Sequence, residues 1–367
     1  MVSNLTVSNI VLFESNIIKL AFTFSIGLFL SVMPYQVIIK KIFFFILFVG
    51  IAISFLFNVG EVYIYGENYK RAFFYFSDEI TTVLALGWLL FVTKGWVKLS
   101  IITALAVFLS GGKISILLIT FTFLLCFIFL EFFKEYKTYL LLLSSILCGL
   151  IGYVSSVNLA NNIEKNNISM RPLLLKIFPK KEVEKVMKVS GRASCQGALS
   201  CIKLNLVASF KQRYFTSLAG IWMISKGGFS GKQYPNTPDK FAALMVENNP
   251  FGINTKYGLT YNHWKKMGGV QSPFIDFGAG YGPSILCVLI LCFGFVAYCA
   301  ISNLRFAEDR TILVFSLYFL VIFFLNHTQS WLKSGSAVLI MMGYLTGYIL
   351  ISWYKRTQPF NSSESIA

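Results

Sequence analysis

PSILCVLILCFGFVAYCAI, Pro283 to Ile301, contains no charged residue and is long enough to cross a bilayer core as a single helix. The chain before it has the opposite character. Residues 156–280 hold 17 Lys and Arg against 6 Asp and Glu, a net of +11 within a whole-chain net charge of +16. Working outward from this junction, apolar stretches recur on both sides. Spans are expected near 17–37, 42–59, 79–94, 97–110, 114–132, 138–155, 283–301, 311–326 and 335–354. Backbone polar groups in lipid must be satisfied within each segment, so each span is expected to be a helix.

Composition agrees with that expectation. Hydrophobic residues make up 56% of the 367, 37 of them Phe, and mean hydropathy is +0.68. The expected class is an all-α, polytopic membrane bundle of about nine or more spans, with one large, partly helical external loop. The expected domains are N-terminal transmembrane helices over 1–155, the loop over 156–280, C-terminal transmembrane helices over 281–357 and a polar cytoplasmic tail over 358–367. Met1 to Asn16 has no Lys or Arg, so the first span is expected to remain in the mature chain. The aromatic, mixed-charge stretch from Glu61 to Asp78 suits an interfacial segment.

Charges in the short loops set the orientation. Lys40, Lys41, Lys94, Lys98, Lys134, Lys137, Arg305 and Arg310 fall on one side, joined by Lys355 and Arg356. Cytoplasmic loops carry the Lys/Arg excess, so that side is cytoplasmic and the 156–280 loop is external. In an oxidising compartment, Cys195 and Cys201 within this loop are candidates for a disulfide. Cys126, Cys148, Cys287, Cys292 and Cys299 lie in apolar spans as small hydrophobes.

Inside the loop, Arg171–Val189 and Leu199–Ser225 have apolar residues at helical spacing, the second ending at Gly227 and Gly228. Residues 231–272 are rich in Gly, Pro, Asn and Tyr and read as an irregular binding surface. The two histidines, His263 and His327, are far apart in sequence, and there is no HExxH or CxxC, so no metal site is expected. SGGK at 110–113 lacks the remainder of a nucleotide-binding loop, so no cofactor is expected. An acid within an apolar segment is expensive, which singles out Asp276 in FIDFG.

Three segments carry a family resemblance. SGGK between two apolar runs resembles the SGSR helix break of bacterial O-antigen polymerases and ligases. RYFTSLAGIWMISKGGFSG (Arg213–Gly231) resembles their Arg, apolar helix and Gly-rich turn. SPFIDFGAGYGPSILCVLI (Ser272–Ile290) is similar to the segment leading into their next span. The pattern is most similar to Wzy-type surface polysaccharide polymerases. Lys113 stands where that family commonly has Arg, Ser272 and Pro273 where ligases have His-Asn, and Gly280 where Glu is frequent.

The resemblance implies a glycosyltransferase of the bacterial inner membrane, GT-C-like by analogy. It would move a growing glycan from undecaprenyl diphosphate to a lipid-linked repeat unit at the periplasmic face. Its partners would be those lipid-linked oligosaccharides, membrane lipids and a chain-length regulator protein, and not nucleic acid. A departing diphosphate needs fixed cations, and Arg contacts phosphate oxygens bidentately. Arg213 is the first candidate, with Lys113, Arg171 and Arg192 as further substrate contacts. Asp276, His263 and His327 are candidates for catalysis, and Tyr261 and Trp264 for stacking on sugar faces. The same chemistry with a lipid A–core acceptor (a ligase) and a flippase for lipid-linked oligosaccharide are the alternatives.

Overall fold

Apolar segments that satisfy their own backbone form helices, and every described element of the computed structural model is helical. The structure describes residues 21–32, 78–109, 113–165, 198–229, 233–252, 259–324 and 337–358. The expected span at 42–59, the interfacial stretch after Glu61 as far as residue 77, and the Arg171–Val189 helix lie outside them. Among the described residues, twelve α-helices follow in order: α1 (Ala21–Val32), α2 (Asp78–Thr93), α3 (Val97–Leu109), α4 (Lys113–Phe129), α5 (Tyr136–Lys165), α6 (Ala198–Ser225), α7 (Pro238–Asn248), α8 (Tyr261–Met267), α9 (Pro273–Tyr281), α10 (Pro283–Phe306), α11 (Arg310–Phe324) and α12 (Ala337–Thr357). Two of these are long and apolar enough to cross a membrane, Pro283–Phe306 and Val338–Thr357.

The chain divides into two compact units: Met1–Met33 with Ala208–Ala367, and Pro34–Val207. This differs from the expectation of N-terminal helices, loop and C-terminal helices as successive domains. One reason lies in α5, which continues to Lys165 without a break at residue 155. Another lies in α1, which belongs with the C-terminal helices. A Cβ on Gly27 would sit 2.7 Å from the Tyr344 backbone nitrogen, and one on Gly343 would sit 3.2 Å from the Gly27 Cα. Only paired glycines let α1 and α12 cross this closely.

In the Pro34–Val207 unit, α3 packs on α5 and on α2. Trp88 Nε1 donates to Ser145 Oγ at 3.0 Å inside the bundle, while Phe121, Leu124, Ile128, Leu147 and Ile151 face outward. In the other unit, α10, α11 and α12 pack pairwise. Asn303 Nδ2 donates to the Ile349 carbonyl at 3.1 Å, and the Arg356 guanidinium donates to the Ser302 carbonyl and hydroxyl at 3.1 and 2.8 Å.

Candidate active site

The second half of the basic loop is a helical module with its own core. In α6 the apolar period brings Phe215, Ala219 and Met223 to one face. They pack with Phe241, Ala242 and Met245 of α7, Trp264 of α8, and Leu259, Val270 and Ala279. The expectation of an irregular surface over 231–272 is corrected at Pro238–Asn248 and Tyr261–Met267, which are helical. Thr237 caps α7 by accepting from the Lys240 N–H at 3.3 Å, with Pro238 in its first turn. Asn249 ends the helix at φ 41°, in the left-handed region. Gly268 does the same for α8 at φ 77°.

Glycines set the approach of α6 to α9. A Cβ on Gly220 would come within 2.9 Å of Val270 Cγ1, and one on Gly278 within 2.9 Å of Ile224 Cδ1. Gly220, Ile224 and Gly228 therefore lie level with Ile275, Gly278 and Gly282, and the two segments run parallel. At the end of α6, the Gly228 N–H donates to the Met223 carbonyl at 3.0 Å and the Phe229 N–H to the Ala279 carbonyl at 2.7 Å. Gly228 packs directly on Gly282, the residue that opens α10.

At 100° per residue, Arg213 shares the stripe of Gly220 and Ile224, about 10 Å closer to the α6 N-terminus than Gly220. It is partly buried. Gln212 Nε2 donates to the Met267 carbonyl at 3.3 Å, which sets this part of α6 beside the Gly268–Gly269 turn. Asp276 stands in the first turn of α9 and accepts a hydrogen bond from the Tyr234 hydroxyl. Burial first, and then the Asp276 charge, push the Tyr234 phenol well above its ordinary range, so it holds its proton. The Tyr234 ring also lies against Gly280, one turn beyond Asp276.

A second polar cluster is exposed. Lys265 Nζ lies 2.6 Å from Asp239 Oδ1, and the Tyr261 hydroxyl donates to the same oxygen at 2.9 Å. The Lys265 bond, followed by the Tyr261 bond, holds the Asp239 carboxyl below its usual range; the shared carboxylate raises Tyr261 and Lys265 in turn.

The structure distributes the expected site residues unevenly. Arg213 and Asp276 belong to the two glycine-packed helices. Tyr261 is tied to Asp239. His263 completes the cap of α8: its Nδ1 accepts the Thr260 N–H at 3.4 Å and lies 2.8 Å from the Thr260 hydroxyl. Trp264 is fully buried, edge-to-face with Phe241, so its faces serve the core and are closed to a sugar. Lys113 is the first residue of α4. Arg171, Arg192, Cys195 and His327 lie outside the described residues, and Cys201 falls in the first turn of α6. Among the described residues no group of three or more His, Cys, Asp or Glu is placed to hold a metal. Tyr234 escaped the sequence reading because its partner lies 42 residues away.

No protein-family model matches the chain, and neither curated proteins nor solved structures show a match to it.

The glycines of this site make a graded set of expectations. A Cβ on Gly280 would meet the Tyr234 ring at 3.7 Å, an ordinary contact. Gly280→Ala should therefore be neutral or stabilise the module by up to about 1 kcal/mol, through the lower backbone entropy of the unfolded chain. Gly278→Ala meets Ile224 and should destabilise it. Thermal melting of the two variants checks the order, and equal melting temperatures would contradict this packing.

Proposed function

We propose that the chain is a multi-pass glycosyltransferase of the bacterial inner membrane, acting as a surface polysaccharide polymerase. The observation that carries this reading is the union of two segments that resemble the polymerase family. The Arg213 helix ends in Gly227–Gly228, which seats against the Gly282 turn opening the long apolar α10. Segments more than fifty residues apart thus make one body, with a cation and a carboxylate on it.

The membrane part of the reading is supported by how polarity is distributed. Along α10, Val288, Leu291, Phe295 and Tyr298 are exposed on one side, Leu291 by 72%, while Asn303 is buried. Ser316 of α11 and Thr346 of α12 are buried as well. Large apolar side chains turned outward and small polar ones turned inward suit a hydrocarbon surround. With the short-loop cations cytoplasmic, the 156–280 region faces the periplasm.

In the proposed reaction an acceptor hydroxyl on a lipid-linked repeat unit attacks the anomeric carbon of the donor glycan. The bond from that carbon to undecaprenyl diphosphate breaks, and the electron pair leaves with the diphosphate. Arg213 is the foremost cation for that developing charge, with Lys113, Arg171 and Arg192 as further contacts.

The test is the length of surface glycan, resolved on a gel, in cells lacking the protein. A null strain with only single repeat units on its lipid core, restored to a full ladder by the wild-type gene, is the expected result. A null strain without even single units, accumulating lipid-linked units instead, would turn the assignment toward ligase or flippase.

A further inference from the structure

We propose that Tyr234 is a positioning residue that holds Asp276 as the base for the acceptor hydroxyl; this rests on the glycosyltransferase reading above. Asp276 is the acidic residue of α9, set in its first turn, where the helix dipole favours a negative charge. It is partly exposed, so an incoming hydroxyl can reach that face of the helix. Tyr234 arrives from the α6–α7 connection and donates its hydroxyl hydrogen to Asp276 Oδ1.

Two features make this pair more than a surface contact. The Tyr234 ring is fixed independently of its hydroxyl, because it packs on Gly280 and against the module core. The phenol is also held protonated by burial and by the carboxylate it faces, so it acts as a permanent donor and does not compete for the proton. Tyr234 therefore fixes the orientation of Asp276 by holding one of its oxygens. In the proposed step the acceptor O–H proton passes to the Asp276 carboxylate as the new carbon–oxygen bond forms. The diphosphate leaves with the pair from the broken bond, Asp276 then releases the proton to water, and Tyr234 keeps its own proton throughout.

Tyr234→Phe removes the hydroxyl and leaves the ring on Gly280. The experiment uses the purified full-length protein in lipid nanodiscs with lipid-diphosphate-linked repeat units as donor and acceptor. Loss of positioning should lower kcat about 10- to 100-fold with KM within about twofold, since general-base catalysis is worth about 100-fold or more. The acid limb of the pH–rate profile should move to higher pH, because the ionised carboxylate has lost a donor. A purely structural tyrosine would not move that limb. Unchanged kcat and an unchanged limb in Tyr234→Phe, with an active wild type, overturn the inference and leave the glycosyltransferase reading intact. A wild type that transfers no glycan removes both. If Tyr234→Phe does not fold, Asp276→Glu replaces it: the charge stays but moves by one methylene. Its kcat should fall at constant KM, and a wild-type kcat would overturn the proposal.

Discussion

Arg213→Ala is expected to leave cells with single repeat units in place of a glycan ladder, at normal protein levels in the membrane. The residue sits on the α6 stripe of Gly220 and Ile224, partly buried, next to Gln212, which ties this part of the helix to the Met267 carbonyl. A guanidinium in such a setting meets a diphosphate with two parallel N–H donors. In the proposed transfer the leaving group gains charge in the transition state, so the interaction would strengthen as the bond breaks. Removal of one fixed donor of this kind lowers turnover about 100- to 1,000-fold. Arg213→Lys keeps the charge and loses the fork, and should restore only short ladders. A full ladder from Arg213→Ala would reduce this arginine to a solvated cation on an amphipathic helix.

Gly228→Val should cause the larger loss of stability. Gly228 has φ +84°, a conformation that strains a side-chain-bearing residue by about 1–3 kcal/mol. A Cβ there would also lie 2.7 Å from the Gly282 Cα and 3.1 Å from the Tyr281 carbonyl carbon. Backbone cannot rotate aside as a side chain can, so overpacking adds about 1–3 kcal/mol. The turn that joins α9 to α10 must then separate from the end of α6. Gly227 is the internal control: it has φ +91°, but nothing lies within 4 Å of the point a Cβ would occupy there. Gly227→Ala should therefore show the strain alone. Melting temperatures of the purified variants decide the matter, and equal losses at the two positions would disprove the interlock with Gly282. The same loss should lower the steady-state amount of protein in cells, since a few kcal/mol is a large share of a domain's stability.

Much of the helical framework was legible locally. The expected helix at Leu199–Ser225 corresponds to Ala198–Ser225, and the span expected at 283–301 begins at the observed Pro283. Both are announced by signals within a few residues: an apolar period, a glycine stop, a proline at the first turn. The α7 start was equally local, in Thr237, Pro238 and Asp239, yet the Gly, Pro and Asn around it dominate the composition. Helices as short as α7 and α8 give too few turns for a period to stand out against such a background.

Other features are decided only in three dimensions. Whether Trp264 meets solvent or core depends on Phe241, which belongs to another helix. Tyr234 becomes a partner of Asp276 only when α9 lies alongside α6. The contact of Gly228 with Gly282 has the same origin, and so does the crossing of α1 with α12 at Gly27 and Gly343. Hydropathy, charge and capping are properties of neighbouring residues, so the sequence alone determined a basic loop leading into an apolar helix and where the principal helices begin. Close packing between distant segments depends on the shape left when side chains are absent, and that shape exists only once the helices have docked.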